Sequence, residues 1–297
     1  MRTWLIWTLL AVLCWGGWAI LARLAGDALN AAQQQAVSTL GILPVLAVLG
    51  FSNRLGTAQS GNRLRGTLLA VGSGLLTCAG NIAYYAVLNR GASAAAVIPL
   101  TALYPLVTIL LAVALLKEPL GRIQAVGLVL SLGAIYLFNV PQGGGWLNPW
   151  IGLALVPIVL WGVSALLQKL ATQHLSGEQA TLGFLAAFVP VGAGLLLQNP
   201  IPSNIPLRTG LCVVLLGFAF ALGNYALLMA FARGGRASII SPLASLYPMV
   251  SLPIALVFLG ERPGPRETAG IVIALAAVLA LAQDPAPSTP QPLSSSL

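Results

Sequence analysis

Apolar residues fill this chain in long blocks separated by short polar stretches. Ten blocks predict ten helices, at 3–24, 30–50, 65–88, 94–116, 122–140, 149–170, 177–197, 207–231, 236–259 and 266–283. The interruptions carry turn-forming residues, as from Ser52-Asn53 onward, at Glu118-Pro119-Leu120-Gly121, at Pro141 to Gly145 and at Asn199 to Ser203. A bilayer core needs roughly 20 apolar residues per helix. The pattern therefore predicts an all-α polytopic membrane protein. The least hydrophobic connector near the midpoint, 141–148, divides the chain into a first unit at 1–140 and a second at 149–283. Residues 284–297, rich in Pro and Ser, cannot bury a core and are expected to form a disordered tail.

The two units repeat one another. Pro99-Leu-Thr-Ala-Leu-Tyr-Pro105 returns 143 positions later as Pro242-Leu-Ala-Ser-Leu-Tyr-Pro248. At the same offset Gly80-Asn81 returns as Gly223-Asn224, Arg90-Gly91 as Arg233-Gly234, Glu118 as Glu261, Gly121 as Gly264 and Gly127 as Gly270. A gapless match of this kind marks an internal duplication. With five spans per unit, an odd number, the second copy enters the membrane from the opposite side. Inverted repeats are a recurrent architecture of secondary transporters, because two copies of one packing unit can exchange shapes and open to alternate faces.

Charge then sets the orientation. The 297 residues include 14 Lys and Arg against six Asp and Glu, a net charge of +8, but only 7% of the chain is charged. The basic residues sit one to three at a time in short connectors, so they read as topology signals and not as a nucleic-acid surface. With a cytoplasmic N-terminus the inner side receives Arg2, Arg54, Arg63, Arg65, Lys117, Arg122, Lys169, Arg233 and Arg236. The outer side receives Arg23, Arg90, Arg208, Arg262 and Arg266, so both termini are expected in the cytoplasm. The apolar run after Met1-Arg2 is too long for a signal-peptide core and carries four tryptophans, which makes it a retained first helix.

Candidate chemistry gathers on a few helical faces. Pro99, Pro105, Pro242 and Pro248 are expected hinges. Each removes a helical hydrogen bond, freeing the carbonyls of Ala95, Thr101, Ser238 and Ala244. Freed carbonyls at membrane depth need protein partners or a water-filled cavity, so these helices either line a pathway or bend against neighbours. Thr101 and Ser245 lie between the proline pairs, and Tyr104 and Tyr247 precede the second prolines. The tyrosine hydroxyls need either a ligand or a neighbouring carbonyl. Asn81, Tyr84 and Tyr85 share one helical face, whereas the second copy keeps Asn224 but replaces the tyrosines with Leu227 and Leu228. Such a site is lopsided. Trp15 and Trp18 lie too deep for the interfacial aromatic belt, and Trp161 with Ser164 and Gln168 forms a parallel stripe. Gln34 and Ser38 face either solute or an interfacial polar cap.

Asp27, Glu118, Glu178, Glu261, Glu267 and Asp284 all fall at span ends or in connectors, which disfavours proton coupling through a buried carboxylate. Cys14, Cys78 and Cys212 have no metal spacing, His174 is the sole histidine, and no nucleophile–base set or phosphate loop is present. No cofactor, metal or enzymatic activity is implied. The expected partners are a small solute and the bilayer, with a single chain as the working unit.

Residues 91–139, from Gly-Ala-Ser-Ala-Ala-Ala-Val-Ile-Pro through Lys117-Glu118-Pro119 and Gly127, resemble the end of an EamA domain. Residues 234–281, through Gly260-Glu261-Arg262 and Gly270, resemble a second. The chain thus resembles the drug/metabolite transporter superfamily, EamA type, over about residues 1–283. The resemblance implies ten helices in two inverted five-helix repeats around a central cavity. It also implies an inner-membrane carrier of amino acids or other metabolites, often outward. No cluster of Lys or Arg lies inside the spans, which argues against organic phosphates. The expectation is a facilitator or exporter of uncharged or zwitterionic metabolites, with uptake of a sugar or other neutral solute as the alternative. A channel or a membrane-embedded enzyme is disfavoured.

Overall fold

A computed structural model describes residues 3–51, 62–139 and 150–283, and the described residues contain helices and no strand. The first half comprises α1 (Thr3–Leu24), α2 (Ala31–Gly50), α3 (Arg63–Asn89), α4 (Ala94–Thr101), α5 (Pro105–Leu116) and α6 (Arg122–Asn139). The second comprises α7 (Ile151–Ala171), α8 (Gly177–Ala186), α9 (Phe188–Gln198), α10 (Leu207–Ala232), α11 (Ala237–Ala244), α12 (Pro248–Phe258) and α13 (Pro265–Leu281). Eight helical stretches are long and apolar enough to cross a membrane, and α6 is a shorter apolar helix. Large apolar side chains point outward from them, including Val48, Val257 and Phe258, each more than 70% exposed. In water such a surface would aggregate; in lipid it is solvated. The chain is a multi-pass membrane protein. The expected linker at 141–148 and tail at 284–297 lie outside the described residues.

Three spans are each split in two, two of them where hinges are expected and the third, 177–197, where none is. Span 94–116 becomes α4 and α5, span 236–259 becomes α11 and α12, and span 177–197 becomes α8 and α9. In each case the second piece opens with a proline in its first turn, Pro105, Pro248 or Pro190. There the missing N–H costs least. Pro99 and Pro242 do not break their helices; they lie inside α4 and α11. The gap is bridged by tighter i→i+3 bonds, Leu103 N to Leu100 O and Tyr104 N to Thr101 O in one copy, Leu246 N to Leu243 O in the other. One freed carbonyl, that of Ser238, is taken up by Gln124 Nε2 at 3.1 Å.

The duplication reaches individual contacts. Helix α1 packs on α10 and α3 on α7, so the first helix of each repeat grips the third helix of the other. Trp15 wedges against Gly223 of α10, and Trp161, 146 positions on, wedges against Gly80 of α3. Helix backbones touch where α2 crosses α10. A Cβ on Gly217 would strike the Ser38 carbonyl oxygen, and one on Gly41 the carbonyl of Val214. Both α5 and α12 are followed by a left-handed residue, Lys117 (φ 54°) directly after α5 and Gly260 (φ 64°) two residues after α12. These turns place the residues that follow, Glu118 and Glu261.

Candidate functional site

The broken helices meet across the middle of the molecule. The Tyr104 hydroxyl donates to the carbonyl of Ser241 at 3.2 Å, and Tyr247 donates to that of Ile98 at 3.3 Å. Ile98 and Ser241 stand at equivalent places in the two copies, so the pair of bonds is reciprocal. At the ends of these helices a second reciprocal pair appears. Glu261, just past α12, accepts from Ser93 Oγ (2.9 Å), Ala94 N (3.1 Å) and Ala95 N (2.6 Å) at the start of α4. Glu118, just past α5, accepts from Ala237 N (3.3 Å) and Ser238 N (3.0 Å) at the start of α11. Each carboxylate caps the positive end of the other repeat's helix dipole. The end of each broken helix therefore lies beside the start of the other, and the two run antiparallel. A cation attends each end. Arg23 Nε lies 3.5 Å from Glu261, and Lys169, 146 positions after Arg23, donates to the Gly235 carbonyl at 2.8 Å.

Between the two capped ends lies a cavity of about 40 Å³, lined by α1, α3, α7 and α10 with the helix-break tyrosines. That is room for a water or two. Trp15, Trp18, Trp161, Tyr104, Tyr247 and Phe220 supply its aromatic walls, and Thr77, Asn81, Ser164, Gln168 and Asn224 its polar ones. The rings are linked edge to face. Trp15 meets Tyr104 and Tyr247 at 6.5 and 6.3 Å between centroids, and Tyr104 meets Trp161 at 6.4 Å. Four buried polar atoms of this lining have no partner among the described residues: Trp15 Nε1, Asn81 Oδ1, Trp161 Nε1 and Gln168 Oε1. Buried polar atoms are ordinarily bonded; here Trp15 Nε1 and Trp161 Nε1 abut Gly223 and Gly80, while Asn81 Oδ1 and Gln168 Oε1 belong to the polar side of the lining. No ionised side chain lines the cavity.

Of the fourteen contact residues expected from sequence, eight come together here: Trp15, Trp18, Asn81, Tyr104, Trp161, Ser164, Asn224 and Tyr247. The other six lie behind the wall or apart from it. Tyr84 stacks on the back of Trp18 at 4.8 Å, and Tyr85 accepts the Trp18 indole N–H at 3.1 Å. Gln34 donates to the Ala22 carbonyl (3.2 Å), Ser38 to that of Gln35 (2.7 Å) and Ser245 to that of Pro242 (2.8 Å). Thr101 donates to the Val97 carbonyl at 2.8 Å and stands 3.3 Å from the Tyr247 hydroxyl. Thr77 and Phe220 were not singled out in the sequence. Thr77 lies four residues before Asn81, on the same helical face, and Phe220 is its repeat counterpart. That spacing was the available signal. Of the four hinge prolines, Pro105 and Pro248 sit where the helices break.

Comparison with known proteins agrees with this layout. A crystal structure, titled only as that of a protein, aligns over 93% of this chain and 94% of its own length, with a TM-score of 0.66 at 19% identity. At that identity the likeness is one of fold. No curated protein matches the sequence. Two segments, residues 2–140 and 148–283, each match the profile of the EamA-like transporter family, and the chain belongs to that family.

Proposed function

We propose that the chain is a secondary carrier that works by alternating access and moves small uncharged or zwitterionic metabolites, such as amino acids, as an exporter or facilitator. The observation that carries this is the group of four partnerless polar atoms on residues that line one cavity between the two repeats. A channel would need a continuous hydrated path. Here both ends of the broken-helix pair are capped by a glutamate, and the space between holds only about 40 Å³, far short of a continuous path. Release of one capped end with the other held would open the cavity to a single face. Ten spans in two inverted sets of five fit this scheme, with the antiparallel broken helices as the pair that rocks. We place the protein in the inner membrane with both termini cytoplasmic, following the distribution of Arg and Lys. Thr77, Ser164 and Gln168 beside aromatic walls also fit a sugar, which keeps uptake of a neutral solute as the second reading.

Counterflow in proteoliposomes tests the proposal. Wild-type protein should accumulate labelled solute against an internal unlabelled pool. Asn81→Ala, Trp15→Ala and Tyr104→Phe should each reduce the rate at unchanged protein content. Wild-type rates in all three variants would remove the cavity from the transport path.

A further inference from the structure

The two halves of the cavity are counterparts in the duplication, yet they are not chemically alike. On the α1–α10 side Trp18 and Phe220 line the cavity at 6.1 Å between centroids, and Ala22, one turn after Trp18 on α1, does not reach it. Their counterparts on the α7–α3 side are Ser164, Thr77 and Gln168. Beyond the paired Trp15 and Trp161 and the paired Asn81 and Asn224, the first set is aromatic and apolar and the second neutral and polar. The amides differ too. Asn224 Nδ2 donates to its own helix at the Phe220 carbonyl (2.9 Å), while Asn81 Oδ1 has no partner. In the polar lobe Thr77 Oγ1 and Ser164 Oγ stand 2.6 Å apart, and both reach the Ser73 carbonyl at 2.9 Å. Their two protons are used up among these three oxygens. Gln168 must then turn its nitrogen to Ser164 Oγ, at 3.3 Å, which leaves Gln168 Oε1 facing no donor. Gln168 and Asn81 lie one helical turn beyond Ser164 and Thr77, so two carbonyl acceptors bracket the hydroxyl pair.

Resting on the carrier reading above but narrowing its solutes to the uncharged ones, we infer that the cavity takes an uncharged, ring-bearing solute that places its ring against Trp18 and Phe220 and donates N–H or O–H groups to Gln168 and Asn81. The chemistry excludes anions. With no cation in the lining, a carboxylate would be buried without a charged partner, at a cost far above that of a neutral amide. The α7–α3 residues, and Gln168 first among them, are the specificity determinants. Their counterparts on α1 and α10 supply the ring platform.

Nicotinamide, nicotinate and phenylalanine form a matched probe set: a neutral ring amide, its acid and a zwitterion. Binding to purified full-length protein is read from tryptophan fluorescence, since three of the seven tryptophans line the cavity. Nicotinamide should bind at least tenfold tighter than nicotinate or phenylalanine. Gln168→Leu, close in size but without the acceptor, should weaken nicotinamide about tenfold, the equivalent of one hydrogen bond. Asn81→Leu should act in the same direction, and both variants should keep the wild-type circular dichroism. Tighter binding of nicotinate or phenylalanine, no binding of nicotinamide, or unchanged affinity in both variants would overturn the inference. Counterflow of whichever probe binds judges the carrier reading separately, and its absence would count against that reading alone.

Discussion

The reciprocal glutamate caps give the most direct quantitative prediction. Glu261→Ala removes the acceptor of one hydroxyl and two backbone N–H groups, and the Glu261 side chain is only 11% exposed. A capping acceptor is worth about 1 kcal/mol and a charge-assisted bond somewhat more, so three lost bonds cost roughly 3–4 kcal/mol. The Arg23 pair adds less than about 1 kcal/mol, because Arg23 is 32% exposed and its partner stands at 3.5 Å. Glu118→Ala loses two bonds, at 3.3 and 3.0 Å, and should cost roughly 2 kcal/mol. A loss of 3 kcal/mol lowers the unfolding temperature by roughly 6–12 °C in a chain of this size. Thermal unfolding in one detergent, followed by a thiol-reactive dye that reports exposure of the buried Cys78, resolves such shifts. The expected order is Glu261→Ala below Glu118→Ala below wild type, with Glu261→Gln between Glu261→Ala and wild type because it keeps one acceptor oxygen. A Glu261→Ala protein that melts within 1 °C of wild type (roughly the resolution of the scan), or a reversed order of the two alanine variants, would refute the capping account.

Two further predictions concern the backbone. Gly217→Ala drives a methyl group into the Ser38 carbonyl of α2, a contact no rotamer can relieve, and should cost about 2–3 kcal/mol. Gly210→Ala, in the same helix with open space around it, should be neutral or stabilising by under about 1 kcal/mol. The paired melting curves separate close helix approach from helix propensity. Lys117 holds the left-handed φ of 54° that Gly260 holds in the other repeat. Lys117→Gly should therefore raise stability by about 0.5–1 kcal/mol, read as a higher melting temperature at unchanged transport.

Helix positions were legible because blocks of apolar residues have few alternatives, and the duplication was legible because its punctuation residues recur without gaps. The breaks within spans were less so. Sequence identifies Pro105, but the same reading applied to Pro99 and predicted a hinge where α4 continues. What separates them is position. Pro105 lies at the start of a helix, where no acceptor waits for its N–H, whereas Pro99 leaves an Ala95 carbonyl that a short buried helix tolerates. The roles of Glu118 and Glu261 were hidden for another reason. In sequence they are ordinary acids in connectors, and only the antiparallel meeting of distant segments makes them caps. Polar candidates divided similarly. Asn81 and Ser164 face the cavity, while Gln34 and Ser38 sit on their own helix or its neighbour, a distinction of a few tens of degrees about a helix axis that residue type does not encode.

The two halves share some contacts and differ in others. The caps, the tyrosine cross-bonds, the tryptophan wedges against Gly80 and Gly223 and the left-handed turns all occur in pairs. Under the proposed carrier reading, the caps would hold or release the ends of the broken helices, one pair for each face. The cavity lining does not follow the pairing: Trp18 corresponds to Ser164, Phe220 to Thr77, and Ala22, outside the lining, to Gln168. A two-fold symmetric lining would hold an unsymmetric solute equally well in two orientations, and neither orientation could satisfy every polar atom. An aromatic lobe opposite an amide lobe favours one orientation, because reversing the solute buries its donors against rings and leaves the Gln168 carbonyl unbonded. Symmetry in the frame and asymmetry in the lining thus answer different physical demands, the first set by motion and the second by recognition.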